Sequence, residues 1–329
     1  MKPAIVVYKK IPQDQLEKLQ AQFQVTFFDG IHEHNRADFL KALATADGLL
    51  GASSPIPVEY LKQATRLKVA STISVGVDQF DVPEMTRRGI YLMHTPGVLT
   101  ETTADTIFTL ILNSARRVIE MSDLVRSGHW TQSIGEESYG VNVNGKTIGI
   151  LGMGRIGSAL ARRAYAGFGM EVLYYNDVAN VEAEQRYQAL RCDIDTLLQR
   201  SDFVCIVLPL LPETEKFMDW NKLQKMKPGA FLINGSRGKI VDEAALIQAL
   251  KQGVIRGAGL DVFEREPLSA DSELLTFPNV VALPHIGSAT HETRRAMVEM
   301  AVDNLIAALQ GDVQKNCVNP QARDQVREA

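Results

Sequence analysis

Short apolar runs alternate with amphipathic stretches along the first third of the chain. These runs are AIVVY at 4–8, VTFF at 25–28, DGLLG at 47–51 and LKVAST at 67–72. Apolar runs of this length, separated by segments with helical periodicity, are typical of buried strands in a parallel α/β sheet. The pattern therefore predicts such a sheet, with helices connecting its strands.

A longer segment with little Gly or Pro follows, and it predicts one helix from Thr100 to about Arg126, with Thr100 as the N-cap. A second alternating series begins at KTIGILGMGRIG, and its strands are expected near 147–151, 171–175, 203–208, 230–233, 257–261 and 280–283. A last amphipathic helix is expected at about 290–309, followed by a polar tail, QARDQVREA, that should fray. Since no Gly/Ser linker divides the two series, a helical crossover is the expected boundary between two lobes.

Length and charge narrow the class of protein. A chain of 329 residues exceeds the usual size of one domain, so two domains are expected. The formal charge of −4 and the absence of a dense Lys/Arg stretch argue against a nucleic-acid partner, because phosphates would require one. A small metabolite is the expected partner.

Cysteines and the N-terminus bear on compartment and metal binding. The three cysteines are widely spaced and form no C-x-x-C pair, which disfavours a disulfide framework and a zinc site. The start, MKPAIVVYKK, has five consecutive apolar residues, too few for a signal peptide or a membrane span. We therefore expect a cytoplasmic protein with no membrane partner and no metal.

A glycine motif lies between the strand TIGIL and the helix SALARRAYAGF. It runs Gly152, Met153, Gly154, Arg155, Ile156, Gly157. In this context the glycines permit a tight turn and close backbone approach, and the helix N-terminus attracts a pyrophosphate. The motif predicts a dinucleotide site, although a glycine turn without a ligand and a methyltransferase nucleotide site are alternatives.

An acidic residue follows the next strand, EVLYYND. Asp177 lies twenty positions after Gly157, where a carboxylate accepts a hydrogen bond from the adenosine ribose 2′-OH and repels a 2′-phosphate. This favours NAD over NADP. The alternative is that Asp177 is only a turn residue.

Three polar residues follow later strands: Arg237 in GSRG, Glu266 in FEREP and His285 in LPHIGS. Taken singly, each has a structural explanation: an ion pair, a solvated loop residue or a packed histidine. Taken together they suit the reduction of a 2-oxo acid. A guanidinium can hold the carboxylate and polarise the carbonyl, an imidazole can donate the proton, and a carboxylate can orient the imidazole.

At these residues the chain resembles the D-isomer-specific 2-hydroxyacid dehydrogenases, and within them the branch of glyoxylate, hydroxypyruvate and 2-ketogluconate reductases. The resemblance covers nearly the whole length. The motifs that carry it are STISVGVDQFD, YLMHTPG, TETTADT, GILGMGRIGSALA, LPLLPET, INGSRGKIVDE, AGLDVFEREP, PHIGSATHETR and KNCVNP.

The resemblance implies roles for particular residues. Arg237 would bind substrate, Glu266 would orient the histidine, and His285 would be the acid/base. The main chain at Val75 and Gly76 would hold the substrate carboxylate. The cofactor contacts it implies, beyond the glycine motif and the pair Asn176-Asp177, are Thr103, Pro209, Thr214, Ser236, Asp261, which would bond the nicotinamide carboxamide, and Gly287.

The resemblance also implies an architecture of two doubly wound parallel-sheet domains. Residues 1–99 and 289–329 would form a flavodoxin-like substrate domain, and 100–288 an inserted Rossmann NAD(P)-binding domain. A homodimer formed through the 100–145 region is implied, with Trp130 and Tyr139 as interface aromatics unless they are core residues.

The chain departs from the family at the cofactor pair. Many NAD-linked members carry the acidic residue one place earlier, where this chain has Asn176, and NADPH-linked reductases often have Arg where it has Asp177. We expect NAD(P)H to be the cofactor, with NADH modestly favoured. The alternative function is a nucleotide-sensing corepressor or scaffold, because proteins of that kind share the fold and retain the Arg/Glu/His set.

Overall fold

The computed structural model describes residues 2–322, and the chain divides into two compact units. The discontinuous unit contains the described residues up to Leu99 and those from Ala289 onward. The central unit spans Thr100–Ser288. Most of the tail QARDQVREA lies outside the described residues.

The strands are short and mostly buried, and in the described residues they are β1 (Ala4–Val7), β2 (Gln24–Phe27), β3 (Gly48–Gly51), β4 (Val69–Thr72), β5 (Tyr91–Met93), β6 (Thr147–Leu151), β7 (Glu171–Tyr175), β8 (Leu190–Arg191), β9 (Phe203–Ile206), β10 (Phe231–Asn234), β11 (Gly257–Leu260) and β12 (Val280–Ala282).

The α-helices of the same residues are α1 (Gln13–Gln22), α2 (Arg36–Leu43), α3 (Val58–Gln63), α4 (Val82–Arg87), α5 (Thr100–Arg116), α6 (Val118–Arg126), α7 (Arg155–Arg162), α8 (Val181–Tyr187), α9 (Ile194–Arg200), α10 (Trp220–Leu223), α11 (Glu243–Lys251) and α12 (His291–Leu309). A π-helical turn, Arg163–Gly167, continues α7.

In the discontinuous unit a five-stranded parallel sheet has the order β2-β1-β3-β4-β5. Its inner strands β1, β3 and β4 are almost entirely buried because helices cover both faces of the sheet, whereas the edge strand β2 is largely exposed. Phe39 and Leu43 of α2 pack in the core on one face, and α12 packs against β3 and β4. The sheet is the predicted α/β layer, and α12 agrees with the helix expected at 290–309.

In the central unit a seven-stranded parallel sheet has the order β12-β11-β10-β9-β6-β7-β8. The chain starts at β6, moves outward to β8, and then returns to build the other side from β9. The sheet therefore has its topological switch point between β6 and β9, which is where ligands bind in open α/β sheets. The predicted fold class, two parallel-sheet α/β domains, is confirmed.

Two predictions about elements were wrong in detail, and two strands were missed. The helix expected from Thr100 to Arg126 is two helices, because the carbonyl of Ala115 accepts from Val141 N–H at 2.8 Å and Arg117 adopts a left-handed φ of 55°. Thr100 is the first helical residue and not the cap. The short strands β5 and β8 were not predicted, since neither stands out as a separate apolar run.

Candidate active site

The polar residues of interest in the central unit follow strands of one parallel sheet, so they lie along one edge. In sheet order, this edge carries His285 after β12, Asp261 after β11, Arg237 after β10, Pro209 after β9, the glycine turn after β6 and Asp177 after β7. At about 4.8 Å between neighbouring strands, β12 lies roughly 19 Å from β6. The edge is therefore long enough to hold an extended ligand.

The glycine turn after β6 leaves space for an anion. Gly152 has φ 101°, and a Cβ on Gly157 would lie 2.1 Å from the carbonyl oxygen of Gly152, so packing requires glycine at both positions. A Cβ on Gly154 would meet nothing within 4 Å. This space adjoins the N-terminus of α7, which has neither a side-chain cap nor an acidic residue in its first turn. Its unpaired N–H groups suit the pyrophosphate of a dinucleotide.

Asn176 and Asp177, which follow β7, differ in their contacts. Asn176 accepts from Met153 N–H at 3.2 Å through Oδ1 and donates to the carbonyl of Val178 at 2.8 Å through Nδ2. Asn176 thereby ties the end of β7 to the glycine turn. The side chain of Asp177 is exposed and makes no hydrogen bond or ion pair with another described residue, so its carboxylate is available to a ligand.

The loop after β10 is folded by Asn234, a residue that sequence reasoning missed. Asn234 is buried, its Oδ1 accepts from Ser236 N–H at 3.1 Å, and its Nδ2 donates to the Arg237 carbonyl at 3.0 Å. Ser236 Oγ donates to the carbonyl of Leu208 at 2.7 Å. These bonds fix the main chain on both sides of Arg237. The signal in the sequence was an Asn directly before Gly-Ser, a pairing that favours side-chain bonds to a turn.

Glu266 and His285 are in contact. His285 Nδ1 lies 2.8 Å from Glu266 Oε2, while Glu266 Oε1 accepts from Phe263 N–H at 3.1 Å. Burial acts to raise the pKa of Glu266, but the hydrogen bonds from His285 and Phe263, with the charges of His285 and Arg237, outweigh it and lower that pKa. The carboxylate is therefore ionised at neutral pH and must accept the Nδ1–H proton, which leaves Nε2 of the imidazole for a ligand.

The loop that carries His285 is held by Asp261. The Oδ1 and Oδ2 atoms of this buried aspartate accept from Ile286 N–H at 2.7 Å and from Gly287 N–H at 2.8 Å. Burial raises the pKa of Asp261, and these two N–H groups act against that rise. His285 itself has a left-handed φ of 55°. Such a conformation costs energy for a residue other than glycine and is often found at functional sites, and the two bonds after it stabilise the loop.

The remaining residues expected at the cofactor lie on the same edge. Thr103 of α5 lies beside Gly287, whose Cβ would come 3.4 Å from Thr103 Cγ2. Thr214 Oγ1 donates to the Pro209 carbonyl at 2.6 Å and closes the loop after β9. Thr214 thus fixes main chain at this edge, and Thr103 packs beside the loop that follows His285. Their contact with a cofactor stays a prediction.

In the discontinuous unit, Val75 and Gly76 follow β4. A network of side chains fixes their loop: Thr72 Oγ1 lies 2.7 Å from Ser74 Oγ, which donates to the Gly76 carbonyl at 2.7 Å. His94 Nδ1 lies 3.0 Å from the Val75 carbonyl. Among the described residues, no acceptor faces the N–H of Val75 or Gly76, so both donors remain for an anion.

Neither a bilayer span nor a metal cluster is found in residues 2–322. None of their helices combines the length and apolar composition needed to cross a membrane. Within the same range, no group of three or more His, Cys, Asp or Glu side chains gathers closely enough to hold a metal ion.

Comparison with known proteins gives the family. The model of the D-isomer specific 2-hydroxyacid dehydrogenase NAD binding domain matches residues 108–287. A glyoxylate/hydroxypyruvate reductase B of Serratia proteamaculans is 58% identical over 98% of this chain and 99% of its own length. A similar relative in Yersinia enterocolitica is 55% identical over 99% of this chain and 100% of its own length.

A solved structure agrees with these matches. The NADPH-dependent glyoxylate/hydroxypyruvate reductase of Sinorhizobium meliloti, in complex with NADP and malonate, has a TM-score of 0.87 at 33% identity and covers 98% of each chain. Its similarity extends over both units. The chain therefore belongs to the D-isomer specific 2-hydroxyacid dehydrogenase family and is an NAD(P)-dependent oxidoreductase.

Proposed function

We propose that this enzyme reduces small 2-oxo acids to D-2-hydroxy acids, with glyoxylate and hydroxypyruvate as its first substrates and 2-ketogluconate as a further candidate. The observation that carries the proposal is the 2.8 Å contact between His285 Nδ1 and Glu266 Oε2, at the sheet edge that also carries Arg237. The names of the relatives from Serratia and Yersinia support the choice of substrates.

The chemistry follows from the protons carried by His285. When bound, the cofactor would supply a hydride to the carbonyl carbon of the 2-oxo acid. The carbonyl oxygen must then gain a proton. The imidazolium form of His285, which carries a proton on each ring nitrogen, donates the one on Nε2 and becomes the neutral Nδ1–H imidazole, and this completes the hydroxyl group. Glu266 holds the ring through Nδ1 and keeps Nε2 directed at the substrate. Arg237 binds the substrate and polarises its carbonyl, because a guanidinium fork fits a planar carboxylate and the adjacent oxygen.

The two units divide the binding. We assign dinucleotide binding to the central unit, with the pyrophosphate at the glycine turn, and substrate-carboxylate binding to the discontinuous unit through Val75 and Gly76. The second assignment is supported by two N–H groups that have no acceptor among residues 2–322 and that lie in a loop fixed by side-chain bonds. Thr103, Pro209, Thr214, Ser236, Asp261 and Gly287 are proposed to line the remainder of the cofactor site.

NADH is proposed as the modestly favoured cofactor. Asp177 presents an available carboxylate at the end of β7, where it can accept from the ribose 2′-OH and repels a 2′-phosphate. The Sinorhizobium relative is NADPH-dependent, so NADPH is retained as a second cofactor. The comparison of the two reduced cofactors below tests this order.

We also propose a cytoplasmic homodimer formed through residues 100–145. Exposed large apolar side chains concentrate in part of this region: Val118, Ile119, Val125, Trp130, Ile134 and Tyr139. Trp130 is 59% exposed and Tyr139 is 54% exposed, so the alternative that they are core residues is wrong for this structure. Grouped exposed apolar residues mark interaction surfaces. The molar mass in solution, measured by light scattering, tests the dimer.

The experiment is a panel of glyoxylate, hydroxypyruvate and 2-ketogluconate with NADH and NADPH, followed by loss of the reduced-nicotinamide absorbance. We expect robust turnover of at least one of the first two acids. His285→Ala should abolish turnover and leave cofactor affinity unchanged, whereas Arg237→Ala should lose turnover and raise the KM for substrate. Tight cofactor binding without turnover of any acid would instead favour a nucleotide-sensing corepressor. A tenfold preference for NADPH would overturn the proposed cofactor order.

A further inference from the structure

The guanidinium of Arg191 lies beside Asn176 and Asp177, although Arg191 is distant from both in the sequence. Arg191 is on the edge strand β8, in register with Tyr174 of β7, which ends one residue later. Its Nε donates to the carbonyl of Asn176 at 3.0 Å, and its Nη2 donates to the carbonyl of Asp177 at 2.5 Å. Fourteen residues separate Arg191 from Asp177 along the chain, so the pairing of strands, and not a local motif, brings the cation to this turn.

The charge of Arg191 is not neutralised by any residue that the structure describes. The side chain is exposed, and in the described part of the chain no carboxylate lies within ion-pair distance of it. Exposed arginines elsewhere, such as Arg186 with Glu182 and Arg200 with Glu171, do have such a partner. A guanidinium has five N–H donors, and two are used on the carbonyls. Three donors and the full positive charge remain for a ligand.

The position of this charge identifies the ligand. In a Rossmann-type sheet the residues directly after the second strand lie beside the adenosine ribose. The carbonyls that hold Arg191 belong to those residues, so the guanidinium is fixed at the ribose while its other donors stay available. The chemical group that distinguishes NADPH from NADH at that point is a 2′-phosphate, for which a guanidinium is the preferred partner.

We propose that Arg191 is the 2′-phosphate-binding residue of this enzyme and that it allows NADPH to bind beside Asp177. The carboxylate of Asp177 favours the 2′-OH of NADH, and the guanidinium of Arg191 offsets its repulsion of the phosphate. The turn then carries one group for each cofactor. This inference rests on the proposed nucleotide site in the central unit and extends it to a residue outside the motif.

The test measures binding without substrate, so it does not depend on turnover of any 2-oxo acid. Adenosine 2′,5′-bisphosphate and 5′-AMP, which differ by the 2′-phosphate, are titrated by calorimetry against the wild type and Arg191→Gln, and NADPH and NADH are titrated by fluorescence. In Arg191→Gln we expect affinity for the two phosphate-bearing ligands to fall about tenfold or more, as for loss of a hydrogen bond to a charged group, with little change for 5′-AMP and NADH. Arg191→Lys should recover part of the loss.

Two controls separate this role from others. Arg186→Gln removes an exposed arginine of α8 that is paired with Glu182, and it should leave the affinity ratio unchanged. Asp177→Asn should raise affinity for the phosphate-bearing ligands. Equal losses for 5′-AMP and its 2′-phosphorylated form in Arg191→Gln would mean that Arg191 only holds the turn, and unchanged affinities would mean that it has no role; either result overturns the proposal. If Arg191→Gln shows the expected loss of affinity for the phosphate-bearing ligands but the wild type does not turn over glyoxylate, the proposed function is contradicted and the role of Arg191 is not.

Discussion

Replacing Glu266 by Gln tests most directly the proposal that Glu266 orients His285 as the acid/base. The carboxylate accepts two hydrogen bonds, from Phe263 N–H at 3.1 Å and from His285 Nδ1 at 2.8 Å. An amide of the same shape has one oxygen and one NH₂ group. Whichever way the amide turns, one of the two N–H donors faces another donor. The variant therefore either loosens the loop at Phe263 or releases the imidazole.

The expected size of the effect follows from this lost contact. A hydrogen bond to a charged group contributes about 1.5–3 kcal/mol. The side chains of His285 and Glu266 are 48% and 35% exposed, and solvent screening of such a pair favours the lower end, about 1.5 kcal/mol. This corresponds to a fall of about tenfold in kcat/KM. Cofactor affinity should not change, because neither Glu266 nor His285 belongs to the glycine turn.

The assay is the initial rate with the best 2-oxo acid of the panel, together with a titration of NADH binding. Glu264→Gln is the matched control, since Glu264 is an exposed carboxylate of the same loop and its side chain makes no hydrogen bond with another described residue. Wild-type kcat/KM in Glu266→Gln would refute the orienting role. An equal loss in both variants would refute the argument from the 2.8 Å contact, because general loop charge would then explain it.

Two further predictions concern the nucleotide turn and acid stability. Gly154→Ala should keep the wild-type melting temperature, because the added Cβ meets no protein atom within 4 Å, but it should lose nucleotide affinity, because the Cβ takes up space proposed for the pyrophosphate. Gly157→Ala should also melt at a lower temperature, because its Cβ would lie 2.1 Å from a carbonyl oxygen. Asp47→Asn should be less stable at neutral pH and show a weaker loss of stability in acid. Burial acts to raise the pKa of Asp47, but Ala4 N–H and nearby cations lower it overall. Its stabilisation is therefore present above the unfolded-state pKa of about 3.9 and is lost as pH falls through the folded-state value. Denaturant titrations at several pH values measure this, and identical pH profiles for variant and wild type would contradict it.

The elements that sequence predicts well are those whose signal is local. The apolar runs give the strands that carry the site, and the polar residue after each run marks the carboxyl edge where Arg237 and His285 lie. Two glycines of the motif are also predictable from the local sequence, because the left-handed φ of Gly152 and the contact between Gly157 and the Gly152 carbonyl both arise inside one turn. In these cases a residue and the structure that constrains it are close in the chain.

The features that sequence did not predict depend on contacts between distant residues. The break after α5 follows from the bond between the Ala115 carbonyl and Val141 N–H, and neither residue is unusual in its own segment. The strand β8 has two exposed residues and acquires its place only by pairing with β7. Arg191 was missed for the same reason. An exposed arginine on a short strand has no local signal until the fold sets it against Asn176.

The residues proposed for proton transfer and those proposed for cofactor selection lie at opposite ends of the sheet edge, so the effects of substituting them should be additive. At one end buried polar groups, Asn234 and Asp261, fix the loops that carry Arg237 and His285. At the other end the turn after β7 is bordered by exposed side chains. Five strand spacings separate β7 from β12 in the sheet, which is roughly 24 Å. Substitutions so far apart, without shared partners, have effects that add within about 0.5 kcal/mol. The double variant Arg191→Gln/Glu266→Gln should therefore combine the NADPH defect of one with the rate defect of the other, because the residues proposed to select the cofactor and those proposed to transfer the proton are held by independent contacts.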